Sequence, residues 1–181
     1  IPEGKEIWYQ KHMAQHILPG CDMEWVGKLQ NCILIRNPRK VIYSYSKKYE
    51  ISSISQLGYN QQINLFNMLN ERGAPPLILD ADDILKNPKQ MLKLLCEKLS
   101  IQFYNKMLTW PSGKRESDGI WGQHWYGSVE ASNGFLPYTK EKGDLPNKYK
   151  DIYKACLESY QQLHSHQIFN APISRVPSPF K

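Results

Sequence analysis

The 181 residues predict a single α/β domain in which a parallel sheet is covered by helices. Two short apolar runs, Cys32-Ile33-Leu34-Ile35 and Leu77-Ile78-Leu79, have the length of strands, and each is followed by a stretch with helical spacing. Parallel neighbours must be joined by a crossover, and strands alternating with helices supply one. Apolar residues make up 41% of the chain, enough for one good core and too little for two.

Taken in order, residues 7–10 read as a short strand, and 11–18 as a loop or helical turn closed by Pro19-Gly20. The strand from Cys32 delivers Arg36 at its end, and a helix is expected over 40–49. A second helix over about 55–72 places Leu57, Ile63, Leu65, Phe66 and Leu69 near helical spacing, with Gly73 as its stop. Pro75-Pro76 punctuates the chain before the second strand. Pro88 suits a first helical position, and Met91, Leu92, Leu95 and Leu99 make the apolar face of the helix it opens. Between 102 and 143, tryptophan, glycine, proline and polar residues mix without a sustained period. A loop of that length is usually functional, so the segment is a candidate substrate surface. Leu145-Pro146 opens a last helix to about 166, with Tyr149, Ile152, Tyr153, Cys156, Leu157, Tyr160 and Leu163 on one side. Residues 1–166 form the expected domain, and 167–181, with three prolines, an extended tail that frays.

The formal charge of +6 favours an anionic ligand, a nucleic acid or an acidic surface, although the cations are scattered and not blocked. Cys21, Cys32, Cys96 and Cys156 form no C-x-x-C pair, which points to buried free thiols in a reducing compartment. No run approaches the length of a membrane span and no segment resembles a signal peptide, so a soluble, cytoplasmic protein without a membrane partner is expected. The chain begins at Ile1 and not at methionine, and is expected to be a piece of something longer.

The chemistry gathers first around Arg36-Asn37-Pro38. An arginine at a strand end, then a proline turn and a helix, is how an α/β sheet offers a cation and helix N–H groups to an anion. The guanidinium fork suits a phosphate dianion, and Ser44, eight residues after Arg36, can add a hydroxyl donor. Arg39 and Lys40 add positive field or are simply solvated. A second cluster holds Lys11, His12 and His16. The two histidines have the spacing of a zinc-binding helix, but Met13 stands where H-E-x-x-H needs glutamate, so no metal is expected. A histidine near a lysine can instead deprotonate a hydroxyl while the lysine neutralises a departing oxygen; the alternative is a pair of ordinary surface histidines. Asp80, Asp82 and Asp83 read as caps, with Asp83 or Asn87 starting the helix after Pro88. Trp121, Trp125 and Tyr126 are half core and half cleft wall, and one of them is expected beside Arg36.

The segment Ile35-Arg36-Asn37-Pro38-Arg39-Lys40-Val41-Ile42-Tyr43-Ser44-Tyr45 resembles the 3′-phosphate-binding segment of sulfotransferases that use 3′-phosphoadenosine 5′-phosphosulfate. The stretch from Leu77 to Pro88, with Asp82-Asp83 and Asn87-Pro88, is similar to their strand, acidic pair and helix start. Ser117-Asp118-Gly119-Ile120-Trp121, Trp125-Tyr126 and Ser132-Asn133-Gly134-Phe135 resemble a bacterial-type branch of that family.

The resemblance implies a three-layer P-loop-type parallel sheet flanked by helices, here missing its first strand and loop. It implies a transferase that moves a sulfuryl group from 3′-phosphoadenosine 5′-phosphosulfate, as co-substrate, to a hydroxyl or amine of a small-molecule acceptor. Arg36 and Ser44 would hold the nucleotide's 3′-phosphate, Lys11 would steady the bridging oxygen, and His12 or His16 would take the acceptor proton. No G-x-x-x-x-G-K-S/T segment occurs, and Ala81 stands where many members place an aromatic residue against adenine. The alternative reading is a non-catalytic nucleotide- or nucleic-acid-binding module on the same scaffold, with nucleic acid the less expected partner.

Overall fold

A computed structural model describes residues 3–115, 127–140 and 145–168. Its centre is a pair of parallel strands, β1 (Cys32–Ile35) and β2 (Leu77–Asp80), in the register Cys32↔Leu77, Ile33↔Ile78, Leu34↔Leu79 and Ile35↔Asp80. The crossover between them carries α1 (Pro38–Tyr45) and α2 (Tyr59–Glu71), the connection that parallel pairing requires. After β2 come α3 (Ala81–Lys86), α4 (Pro88–Lys98), the short α5 (Gly127–Glu130) and α6 (Lys150–His164).

Burial follows the pleat. Ile33, Ile35 and Ile78 pack against Phe66 of α2 and Leu163 of α6, whereas Leu79 packs against Met91 of α4 and Ile168. A further cluster joins Ile42 of α1 to Ile51 and Tyr149, which fastens α1 to the chain entering α6. Cys32 and Leu34 alternate to the uncovered side of β1, and Leu34 is 56% exposed. Among the described residues no strand pairs with the outer edge of β1; the Gln62 side chain donates to the Leu34 carbonyl at 3.0 Å.

Several expected elements move, each for a local reason. Residues 7–10 are irregular, and Ile7, Trp8 and Tyr9 are exposed, so this apolar run has no sheet to join among the described residues. Helix α1 starts earlier than expected because Asn37 caps it through Arg39 N–H and Pro38 supplies a first turn without a missing bond. The helix expected over 55–72 is two elements. A 3₁₀ turn, Ile54–Leu57, opens on a capping box between Ser53 and Gln56, and Gly58 at φ 78° breaks it from α2. The last helix is likewise divided into a 3₁₀ turn, Asn147–Tyr149, and α6. Gly73 ends α2 as expected, at φ 71° with Ala74 N–H returning to the Leu69 carbonyl.

Two residues past position 166 pack against β2. Gln167 makes a parallel bridge to Ile78, Ile168 N–H donates to the Ile78 carbonyl, and both residues are buried. These two positions therefore belong to the packed fold; the rest of the expected tail lies outside the described residues. All four cysteines are unbonded, but only Cys96 and Cys156 are buried, because Cys21 lies in a surface loop and Cys32 on the open side of β1. No helix among the described residues is long and apolar enough to cross a membrane.

Two predictions follow from these local features. Ser100 closes α4 at φ 55° with Ile101 N–H bonded to the Cys96 carbonyl, a left-handed position that glycine occupies without a side-chain clash. Ser100→Gly is expected to stabilise the protein by about 1 kcal/mol in urea denaturation; unchanged or lower stability would contradict it. Burial pushes the Cys156 thiol from 9.0 to about 11. The unfolded chain loses this proton first, so between those values it binds fewer protons than the native chain and stability falls as pH rises. Cys156→Ala should flatten the decline in urea midpoint across about pH 9 to 10, and an unaltered slope would discount the thiol.

Candidate functional site

The strand β1 ends at a residue whose backbone and side chain go separate ways. The Tyr59 hydroxyl donates to the Arg36 carbonyl at 2.7 Å, and Tyr59 is only 2% exposed. Burial, more than any neighbouring charge, pushes the Tyr59 phenol well above the ordinary tyrosine range, so it remains a donor. The Arg36 side chain is exposed and has no hydrogen bond or ion pair among the described residues.

The helix that follows does not supply what its sequence promises. Pro38 has no N–H, Arg39 N–H is taken by the Asn37 side chain, and Lys40 and Val41 N–H both reach the Asn37 carbonyl. The opening N–H groups of α1 are thus occupied, and an anion here would be recognised by side chains. Ser44 lies two turns into α1, exposed, its hydroxyl without a partner among the described residues.

Lys40 takes a structural part. Its ammonium sits 2.8 Å from Asp82, with the two side chains 11% and 15% exposed, and lies 4.6 Å from the Tyr138 ring centre. This ties α1 to α3 and brings part of the irregular segment alongside. Lys86 pairs with Asp83, whose hydrogen bond raises the lysine's pKa, and faces the same tyrosine ring at 5.2 Å. Asp80, 2% exposed, caps α3 by accepting from Asp82 N–H at 2.6 Å and accepts from the Tyr160 hydroxyl at 2.7 Å. The acids are caps and counter-ions, although the cap serves α3; Asn87 stands at the start of α4 without a side-chain cap bond.

The Lys11 to His16 segment reaches the same end of α2 from the other side. Ala14–His16 form a 3₁₀ turn packed beside Gly58, where an added Cβ would lie 3.1 Å from Gln15 N and 3.3 Å from Ala14 Cβ. Gly58 and Tyr59 therefore hold the two candidate segments at one corner. His12 bonds Gln10 through Nε2 at 3.0 Å, and its ring lies 5.5 Å from Trp25. Lys11 and His16 are exposed, with side chains unpartnered among the described residues.

Sequence reasoning passed over Tyr59 and Gly58, and read Tyr160 only as part of a helix face, not as the donor to Asp80. A phenol carries no positional motif, but the break at Gly58 was readable in Ser53-x-x-Gln56, a capping-box pattern that announces a separate turn. Ser132-Asn133-Gly134-Phe135 packs on Trp110, which donates through its backbone N–H to the Asn133 carbonyl and through Nε1 to the Ser132 hydroxyl, while its ring meets Phe135 edge-on. A cavity of about 710 Å³ is lined there by Lys89, Trp110 and Phe135, and none of the candidate residues borders it. Trp121, Trp125 and Tyr126 lie outside the described residues.

Gly58→Ala is expected to destabilise the protein by about 1–3 kcal/mol in urea denaturation, because it adds a left-handed alanine and a backbone overlap. A loss below about 0.5 kcal/mol would mean that Ala14–His16 does not pack there.

With this geometry in hand, comparison with known proteins is informative. A family model described as "Sulfotransferase domain" matches residues 2–167. Branched-chain-amino-acid aminotransferase-like protein 2 of Arabidopsis thaliana is 32% identical over 180 residues, covering 98% of this chain and 32% of that protein. Branched-chain-amino-acid aminotransferase-like protein 1 of the same plant is 32% identical over 176 residues, covering 97% of this chain and 32% of the relative. The chain thus spans about a third of the length of these curated relatives. No solved structure matches it.

Proposed function

The chain belongs to the sulfotransferase domain family, and from that premise we propose that it transfers a sulfuryl group from 3′-phosphoadenosine 5′-phosphosulfate to a hydroxyl or amine of a small-molecule acceptor. The observation that carries this reading is Arg36: its carbonyl is anchored by Tyr59 while its guanidinium stands exposed and unpaired among the described residues. Its planar fork offers two parallel hydrogen bonds to a phosphate. Ser44 adds the second donor. The nucleotide's 3′-phosphate would take both.

The acceptor oxygen or nitrogen then attacks sulfur, and the bond from sulfur to the bridging oxygen breaks. Its electron pair leaves with adenosine 3′,5′-bisphosphate. Lys11 stabilises the negative charge on that oxygen, and the acceptor's proton passes to His12 or His16. Negative charge is spread in such a transition state, so rate comes from positioning and preset cations. His12 is oriented by Gln10 and Trp25, whereas His16 is unpartnered among the described residues.

The 5′-phosphosulfate requires a further anion-binding loop, which a P-loop-type strand would bring. The outer edge of β1, which no strand among the described residues pairs with, can receive that strand and complete a three-layer fold. The unbonded cysteines support a reducing, cytoplasmic setting.

Calorimetric titration tests the donor site. Adenosine 3′,5′-bisphosphate should bind about 10- to 100-fold more tightly than adenosine 5′-phosphate, and Arg36→Ala should remove that preference. Equal binding of the two nucleotides, or salt-sensitive binding of random single-stranded DNA in their place, would favour the binding-module reading. Single-turnover assays of His12→Ala and His16→Ala identify the base as the one whose loss slows transfer without weakening bisphosphate binding.

A further inference from the structure

A cavity of about 810 Å³ opens between the Ala14–His16 turn, the end of α1 and the first turns of α2. None of the described residues that line it carries a charge. This is unexpected in a chain of net charge +6. Carboxamides dominate its polar wall: Gln15 beside the turn, and Asn60, Gln61 and Asn64 along α2. Leu18, Met23, Leu65 and Met68 make the apolar part.

One polar atom on this wall is unsatisfied. Gln61 donates through Nε2 to the Ser55 carbonyl at 3.2 Å, while its Oε1 is buried with no partner among the described residues. A buried acceptor in that state costs about 1–3 kcal/mol, and since it has no accessible surface the Gln61 amide would have to turn to present it to a ligand hydroxyl. Three residues of its wall are chain neighbours of residues at the candidate site. Gln15 precedes His16, Tyr45 follows Ser44, and Asn60 follows the Tyr59 that holds Arg36.

We propose that this cavity is the acceptor site and that it takes an uncharged, polyhydroxylated molecule with an apolar face, of the size of an aryl glycoside. A charged acceptor would surrender its hydration with no counter-ion on the wall. Carboxamides both donate and accept, so a row of them matches adjacent hydroxyl groups, and the leucine and methionine side chains cover the apolar face of the same ligand. The inference rests on the sulfuryl-transfer reading for the word acceptor, but the binding chemistry stands on the cavity itself.

The test compares 4-nitrophenyl β-D-glucopyranoside with the glucuronide on the same frame, which differs by one carboxylate, by calorimetry on the protein with and without adenosine 3′,5′-bisphosphate. The neutral glycoside is expected to bind at least tenfold more tightly, and Gln61→Leu and Asn64→Leu to weaken it at least tenfold while bisphosphate affinity and the thermal midpoint hold. Tighter or equal binding of the glucuronide overturns the proposal. So does absence of binding by both glycosides, or binding indifferent to both substitutions. Bisphosphate binding without glycoside binding would sink this inference alone; glycoside binding without a bisphosphate preference would sink the sulfuryl-transfer reading and leave a glycoside site.

Discussion

The hydrogen bond from the Tyr59 hydroxyl to the Arg36 carbonyl is the contact on which the candidate site depends. A phenol buried to this degree has to find an acceptor, and a carbonyl just past a strand end has lost its ladder partner. Each satisfies the other. The consequence is that α2 begins at the C-terminal end of β1, and that the Arg36 side chain leaves the backbone from a fixed point. Gly58, immediately before, lets the Lys11 to His16 segment approach from the opposite side. The end of β1 and the Ala14–His16 turn, distant in the chain, thus both meet this one dipeptide.

The distribution of charge follows from the same packing. Lys40 and Lys86 are neutralised by Asp82 and Asp83, and Lys148 by Glu50, whose hydrogen bond also holds the glutamate below the usual carboxylate range. Arg36 and Lys11 are not neutralised in this way among the described residues. The ion pairs join elements, and the cations left over face solvent where the proposed donor would arrive. The cavity between the Ala14–His16 turn, α1 and α2 is lined instead by carboxamides and apolar side chains. Under the proposed reading, the exposed cations would serve an anionic donor and the uncharged cavity its acceptor.

The order of elements and both strands were legible in the sequence because they are written in local periodicity and turn chemistry. Cys32 to Ile35 and Leu77 to Leu79 read as strands by apolar run, Gly73 as a stop, and Pro88 as a helix start. Arg36 and Ser44 were legible as candidates for the same reason, since a strand end and the helix after it are sequence-local. Residues 7–10 misled because an apolar run states what a segment could bury and not whether a partner is within reach. The helix over 55–72 misled because its apolar period continues across Gly58 while its backbone does not.

By itself, then, the sequence determined the α/β alternation, the apolar faces and the chemical types available for a site, all of which follow from interactions within a few residues. Tertiary structure decided which of those groups are engaged. Lys40 became a largely buried counter-ion, the first N–H groups of α1 were consumed by Asn37, and Gln61 was left with a buried oxygen unpartnered among the described residues. Such outcomes depend on which distant segment fills the space around each polar group. Burial and partner choice are properties of packing, and no pattern within one segment encodes them.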